Sequence, residues 1–388
     1  MTSPLYTRAF WTACAIHLSG GMSLAMFLLF PLFVRRLGGS SATIGLLLGA
    51  GLAASVAARP LVGLALDRFG RRRVLLWGNG LNAASFLPFL ALGRIGPWLV
   101  AATIVHCVLW GALFASYFTY AADLVPAGRR AEGIAVFGAA GMLTNCLGPS
   151  LGEVVIARAG FAAFFLTAVG FALVSFALTF AVPARPATSV ASGSAEGWRI
   201  LANTGGARAL LATAVFGMGV NAAFFFVAPY TRDLGLARAA PFYAAYSTSS
   251  IVLRLVGRRM LDRLGPHRVA IPAFASIGTG LGLLCLLPRS GFLVLAGIVC
   301  GAGHGSLFPV LNALAIERAP ARLAGAAVSL LTAASDLGAV VGTPVCGALA
   351  QAVGYQKMYA ILGATTLGGL AVMVIDRARA IAPRPAEG

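Results

Sequence analysis

The side chains that could do chemistry in this 388-residue chain are the few ionisable groups set inside long apolar runs. They are Asp336, Arg254, Arg59, His106, His304 and His17. A charge near a bilayer midplane costs about 2.5 to 3.5 kcal/mol on insertion scales, so each needs a partner or a function. An aspartate within reach of an arginine can carry a proton in one state and an ion pair in another. Asp336 is therefore read either as a proton-coupling carboxylate or as one end of a permanent ion pair, with Arg59 or Arg254 as its partner. Histidine titrates near neutrality without help. His106, Trp110, Tyr117 and Tyr120 stand at offsets of 0, 4, 11 and 14, which at 100° per residue falls within about 40° of one line. That polar-aromatic stripe is expected to line a cavity, since lipid would leave its polar tips unsatisfied.

Long apolar helices must position these residues. Hydrophobic residues make up 59% of the chain and charged residues 10%, and the mean hydropathy is +0.88. That composition excludes an ordinary soluble surface and makes the bilayer the solvent. A span needs about 20 apolar residues, which divides the chain into twelve helices: 9–31, 42–65, 74–92, 97–122, 132–157, 161–182, 208–231, 241–260, 269–287, 291–316, 324–350 and 355–375. The first run is too long for a signal-peptide core and is kept as a span. Its 48 glycines suit closely packed membrane helices. The six cysteines all lie in apolar runs without metal-ligand spacing, and are read as reduced packing residues.

The net charge of +18 would suggest nucleic acid in a soluble protein. Here it is read through the positive-inside rule. With both termini cytoplasmic, the inner segments hold nineteen of the basic residues and the outer loops eight. Pro183-Ala-Arg-Pro and the Ser/Gly-rich stretch after it form the one long polar low-complexity segment, a flexible linker. An N-terminal bundle over 1–182, a linker over 183–207 and a C-terminal bundle over 208–388 follow. An internal repeat supports the division. At an offset of 195, Asp67 meets Asp262, Arg68 meets Arg263, Gly70 meets Gly265 and Arg59 meets Arg254.

The loop Gly63, Asp67, Arg68, Gly70, Arg71, Arg73 resembles the signature of the major facilitator superfamily between helices two and three, and Asp262 and Arg263 belong to its degenerate second copy. Gly148, Pro149 and Gly152 resemble the glycine-proline motif of that family's exporters. A proline there removes a backbone donor, while the glycines admit a close neighbour. The resemblance implies an all-α membrane protein of two six-helix bundles, working by alternating access, with helices one, four, seven and ten around a central cavity and helix two beside helix eleven. It also marks one departure, because Cys107 stands where the family's proton-coupled drug exporters usually place an arginine.

Met218, Asn221 and Phe225, with Phe308 and Asn312, are expected to line that cavity beside Trp110 and Tyr117, giving a mostly apolar site with a few polar anchors. The expected function is proton-coupled export of a small, amphiphilic organic molecule across the inner membrane. Import of a nutrient or metabolite is the alternative, and a non-transporting sensor a more distant one. The expected partners are the bilayer, the small-molecule substrate and protons, with no nucleic acid, and the chain acts as a monomer. No phosphate-binding loop, zinc signature or soluble catalytic segment is present, so no enzyme, cofactor or metal is expected. Asp67 is expected to act as a latch on the N-terminus of helix eleven near Leu323 to Gly325.

Overall fold

The computed structural model describes residues 5–184, 206–287, 290–318 and 324–381. Within them the chain is helical apart from short turns, as a bilayer demands of a backbone that has no water to satisfy it. Helix α1 spans Arg8–Arg36 and tightens to a 3₁₀ turn at Phe27–Leu29. It is followed by α2 (Ser41–Phe69), α3 (Arg71–Ala91), α4 (Pro97–Leu124), α5 (130–159) and α6 (161–179). The second half repeats the series as α7 (Gly206–Asp233), α8 (Ala240–Leu264), α9 (Pro266–Leu286), α10 (Ser290–Arg318), α11 (324–353) and α12 (355–381). All twelve expected spans are present as helices, and most run a few residues longer than hydropathy alone suggests. The linker expected over 183–207 lies almost wholly outside the described residues.

Helix ends follow local chemistry. Thr7 and Ser40 cap α1 and α2 by accepting hydrogen bonds from the amides of Phe10 and Thr43, each at 3.2 Å. The repeat is written in the backbone as well. The six positive-φ glycines among the described residues form three pairs, Gly38 with Gly235, Gly70 with Gly265 and Gly160 with Gly354. Gly70 (φ 79°) and Gly265 (φ 75°) each let one helix stop and the next begin without a connecting loop.

Successive helices run antiparallel, which gives the molecule two ends. The terminal end carries the chain termini and the Asp67–Arg73 loop; the far end carries the turns at Gly38, Gly160, Gly235 and Gly354. Among the described residues the most extensive contacts between the halves are those of α2 with α11 and of α5 with α8, and the end of α1 meets α7 as well.

Candidate functional site

The signature loop is built into the first bundle. Arg71 is 1% exposed; its Nε donates to the Asp123 carboxylate at 3.1 Å, and Nη1 donates to the Leu66 carbonyl at 3.0 Å and to Asp67 at 3.3 Å. Arg72 donates to the Phe180 carbonyl at 3.0 Å. These contacts tie α2, α3, α4 and α6 together at the terminal end. Arg68 and Arg73 are exposed, Arg68 lying over the Phe69 ring. Gly63 has open space beside it. Asp67 turns back to Arg71 in its own bundle here, and the stretch of α11 expected to meet it lies largely outside the described residues. Leu323 and the Asp262 side chain lie outside the described residues, and Arg263 is exposed.

The glycine-proline motif packs α5 on α1. A Cβ on Gly148 would come within 2.8 Å of the Ala25 side chain, and one on Gly152 within 2.8 Å of Leu29. Pro149 stands inside α5 between them.

The polar stripe on α4 faces inward, contrary to the expected cavity wall. His106 is fully buried, its Nδ1 2.9 Å from Ser85 Oγ and its ring between Phe27 and Phe86. The Tyr117 hydroxyl donates to Asn79 at 2.6 Å and the Tyr120 hydroxyl to the Pro183 carbonyl at 3.1 Å. Ser85, Asn79 and Pro183 of the same bundle thus meet three of the stripe's polar atoms, while the buried Nε2 of His106 has no hydrogen-bond partner. His17 is buried beside them, stacked on Phe137 at 4.4 Å. His304 is held the same way in the second bundle, with Nδ1 2.6 Å from the Tyr246 hydroxyl and Phe216 edge-on at 5.3 Å.

Trp110 is the member of the stripe that reaches across. Its ring meets Phe225 of α7 at 5.9 Å and Phe27 at 6.3 Å. One turn along α4, Phe114 is 54% exposed and stacks at 4.9 Å on Phe118, which lies beside Gly138 and hence near Arg254 of the second half. On this face of α4, Trp110 meets the second half directly, Phe118 comes near it at Gly138, and Phe114 stands exposed between them. Met218 packs against Gly342 of α11, and the Asn221 amide donates to the Gly217 carbonyl of its own helix at 2.9 Å. Asn312 is half-buried, and the Phe308 side chain lies outside the described residues.

Among the described residues, charge joins the halves at three places. Arg59 of α2 forms an ion pair with Asp336 of α11, and Arg35 of α1 pairs with Asp233 of α7 at the far end. Also at the far end, Glu153 of α5 accepts hydrogen bonds from the first amides of α8, Ala239 at 2.7 Å and Ala240 at 3.0 Å. A carboxylate on a helix N-terminus answers both unsatisfied amides and the helix dipole. Ser41 donates to the Tyr355 hydroxyl at 2.8 Å close by. Above Arg59, α2 and α11 close to backbone contact: a Cβ on Gly45 would meet the Thr343 carbonyl at 2.8 Å and Gly347 Cα at 3.0 Å. Among the described residues, the polar links between halves run from the far end to Arg59–Asp336, with none closer to the terminal end. Glu153 is not among the candidates the sequence singles out; its sole signal there is an acid near the end of an expected helix.

A family model for the Major Facilitator Superfamily matches residues 12–288 and 242–388. The chain belongs to the major facilitator superfamily. It is a multi-pass membrane transporter of a family that moves small molecules without enzymatic chemistry. Uncharacterized MFS-type transporters of Pseudomonas aeruginosa (27% identical over 380 residues, 95% of this chain and 92% of the relative) and Salmonella typhimurium (26% over 370 residues, 92% of each) are similar along nearly their whole length. The fold is similar to that of the nucleoside transporter NupG (TM-score 0.78, 12% identity, 95% of this chain and 99% of that one). It is likewise similar to a peptide transporter POT in complex with sulfate (TM-score 0.77, 16% identity, 96% and 94%).

Proposed function

We propose that this member of the family exports a small amphiphilic organic molecule in exchange for protons, by rocking the halves 1–182 and 208–388 about the 183–207 segment. The excess of arginine in the termini, the linker and the Asp67–Arg73 loop supports a cytoplasmic terminal end. In that orientation the links between the halves gather at the outer end and reach inward as far as Arg59–Asp336. The glycine-proline motif on α5 favours export over import.

The observation that carries the reading is the Arg59–Asp336 pair. It holds the intramembrane carboxylate of α11 against a cation of the opposite half, at the innermost described link between them. Protonation of Asp336 removes one charge of the pair and frees Arg59, so proton uptake and separation of α2 from α11 become one event. Arg254, the other candidate, stands against α5 and does not contact Asp336. The buried histidines are held inside single bundles, where a proton has no second half to act on.

Proteoliposomes containing the Asp336→Asn variant test this. Uphill movement driven by an imposed proton gradient is expected to disappear, while substrate exchange at equal pH persists. Retained uphill movement removes Asp336 from the coupling role. Flux in inverted against right-side-out vesicles sets the direction: loading of inverted vesicles alone supports export, loading of right-side-out vesicles import, and no flux in either a sensor.

A further inference from the structure

The internal repeat makes Arg254 conspicuous. It stands 195 positions after Arg59, on the helix that the repeat makes equivalent to α2. Arg59 has Asp336; subtracting the same offset places Gly141 where an acid for Arg254 would stand. The helix opposite Arg254 is α5, which has no acidic residue between Gly133 and Gly152. Its nearest approach is Gly138, where a Cβ would lie 3.0 Å from Arg254 Nη1. Arg254 Nε is buried without a hydrogen-bond partner, and among the described residues the side chain has no ion pair.

An arginine kept charged in a membrane protein and given no acid is costly unless something else supplies the counter-charge. Its planar fork matches a carboxylate in a two-bond geometry that no single neutral group reproduces. The surroundings define the rest of the ligand. Phe118 lies beside Gly138, Phe114 stacks on Phe118 and is exposed, and Trp110 meets Phe225 of the second half. From Phe118 to Trp110 is eight residues of α4, roughly 12 Å at the helical rise.

We propose that Arg254 is the anion-binding residue of the transport site, and that the substrates are amphiphilic organic acids: a carboxylate on Arg254 with an apolar body laid along Phe118, Phe114 and Trp110. This rests on the transporter reading above and adds the substrate class. The arginine on α2 is then spent on the protein's own carboxylate, and the one on α8 is reserved for the carboxylate that is carried.

The test is a binding measurement, independent of flux. Calorimetric titration of the purified chain in lipid nanodiscs compares 4-phenylbutyrate with its uncharged amide. The acid is expected to bind at least tenfold more tightly. Arg254→Gln should abolish that preference and Arg254→Lys restore part of it, while Arg94→Gln, at an exposed arginine of the α3–α4 turn, should leave it in place. Met142→Asp, which sets an acid on α5 near the position equivalent to Asp336, should also abolish it by giving Arg254 an internal partner. Equal binding of acid and amide to the unaltered chain overturns the proposal whatever the variants do, as does a preference that survives Arg254→Gln. Binding that behaves as expected while the Asp336→Asn variant still moves substrate uphill leaves the anion site standing and removes the coupling scheme.

Discussion

Helices α2 and α8 hold equivalent places in the repeat and carry arginines at the same level, yet the surfaces they meet are chemically opposite. Arg59 faces Asp336 across glycines that bring α2 and α11 to backbone contact. Arg254 faces a stretch of α5 without an acid, and the charge on that interface sits at the far end, where Glu153 caps α8. Duplication supplied the same backbone twice, down to the paired glycines at the helix junctions. The side chains then divided the work. One interface holds an ion pair; the other holds an arginine that has no acid beside it among the described residues.

The comparison can be broken at several points. Apart from the Asp336 variant, the largest effect is expected from Gly45→Leu. Its side chain has no room against Thr343 and Gly347, and overpacking of this kind costs about 1 to 3 kcal/mol. Distances between spin labels across the far end should lengthen, reporting an outward-open population; an unchanged distribution would mean that the α2–α11 contact does not set the closed state. Glu153→Gln tests the other interface. Removing a carboxylate from a helix N-terminus costs about 0.3 to 1 kcal/mol, so the same labels should show a smaller shift in the same direction. A shift as large as that of Gly45→Leu would make the two interfaces equal partners and contradict the division drawn here. Asp67→Asn should do least. Its partner Arg71 is four residues away in the same bundle, and such i,i+4 pairs contribute about 0.3 to 0.5 kcal/mol. A large change in the inward and outward populations would restore Asp67 as a latch between halves.

Much of this was legible in the chain itself. Hydropathy and the 195-residue echo are enough for twelve helices in two related halves, because a bilayer leaves the backbone few alternatives. Intramembrane charge singled out Asp336, Arg59 and Arg254, since each is expensive alone. Helical-wheel arithmetic showed that His106, Tyr117 and Tyr120 share a face of α4 but not what that face meets. Their partners Ser85, Asn79 and Pro183 come from distant stretches, and together they make the bundle interior as hospitable to polar tips as a cavity. Glu153 was illegible for a related reason. Its value depends on the first turn of α8 arriving beside it from 86 residues away, and nothing local to α5 announces that neighbour.

The Arg59–Asp336 pair is proposed as the element that a proton dissolves. Spin labels at Leu64 of α2 and Ala333 of α11, both exposed, would report the separation of these helices at the terminal end as pH is varied. The distance distribution of the otherwise native chain should shift with pH, and that of the Asp336→Asn variant should stay fixed. A variant whose distribution moves with pH as the native chain's does would contradict the coupling role assigned to Asp336.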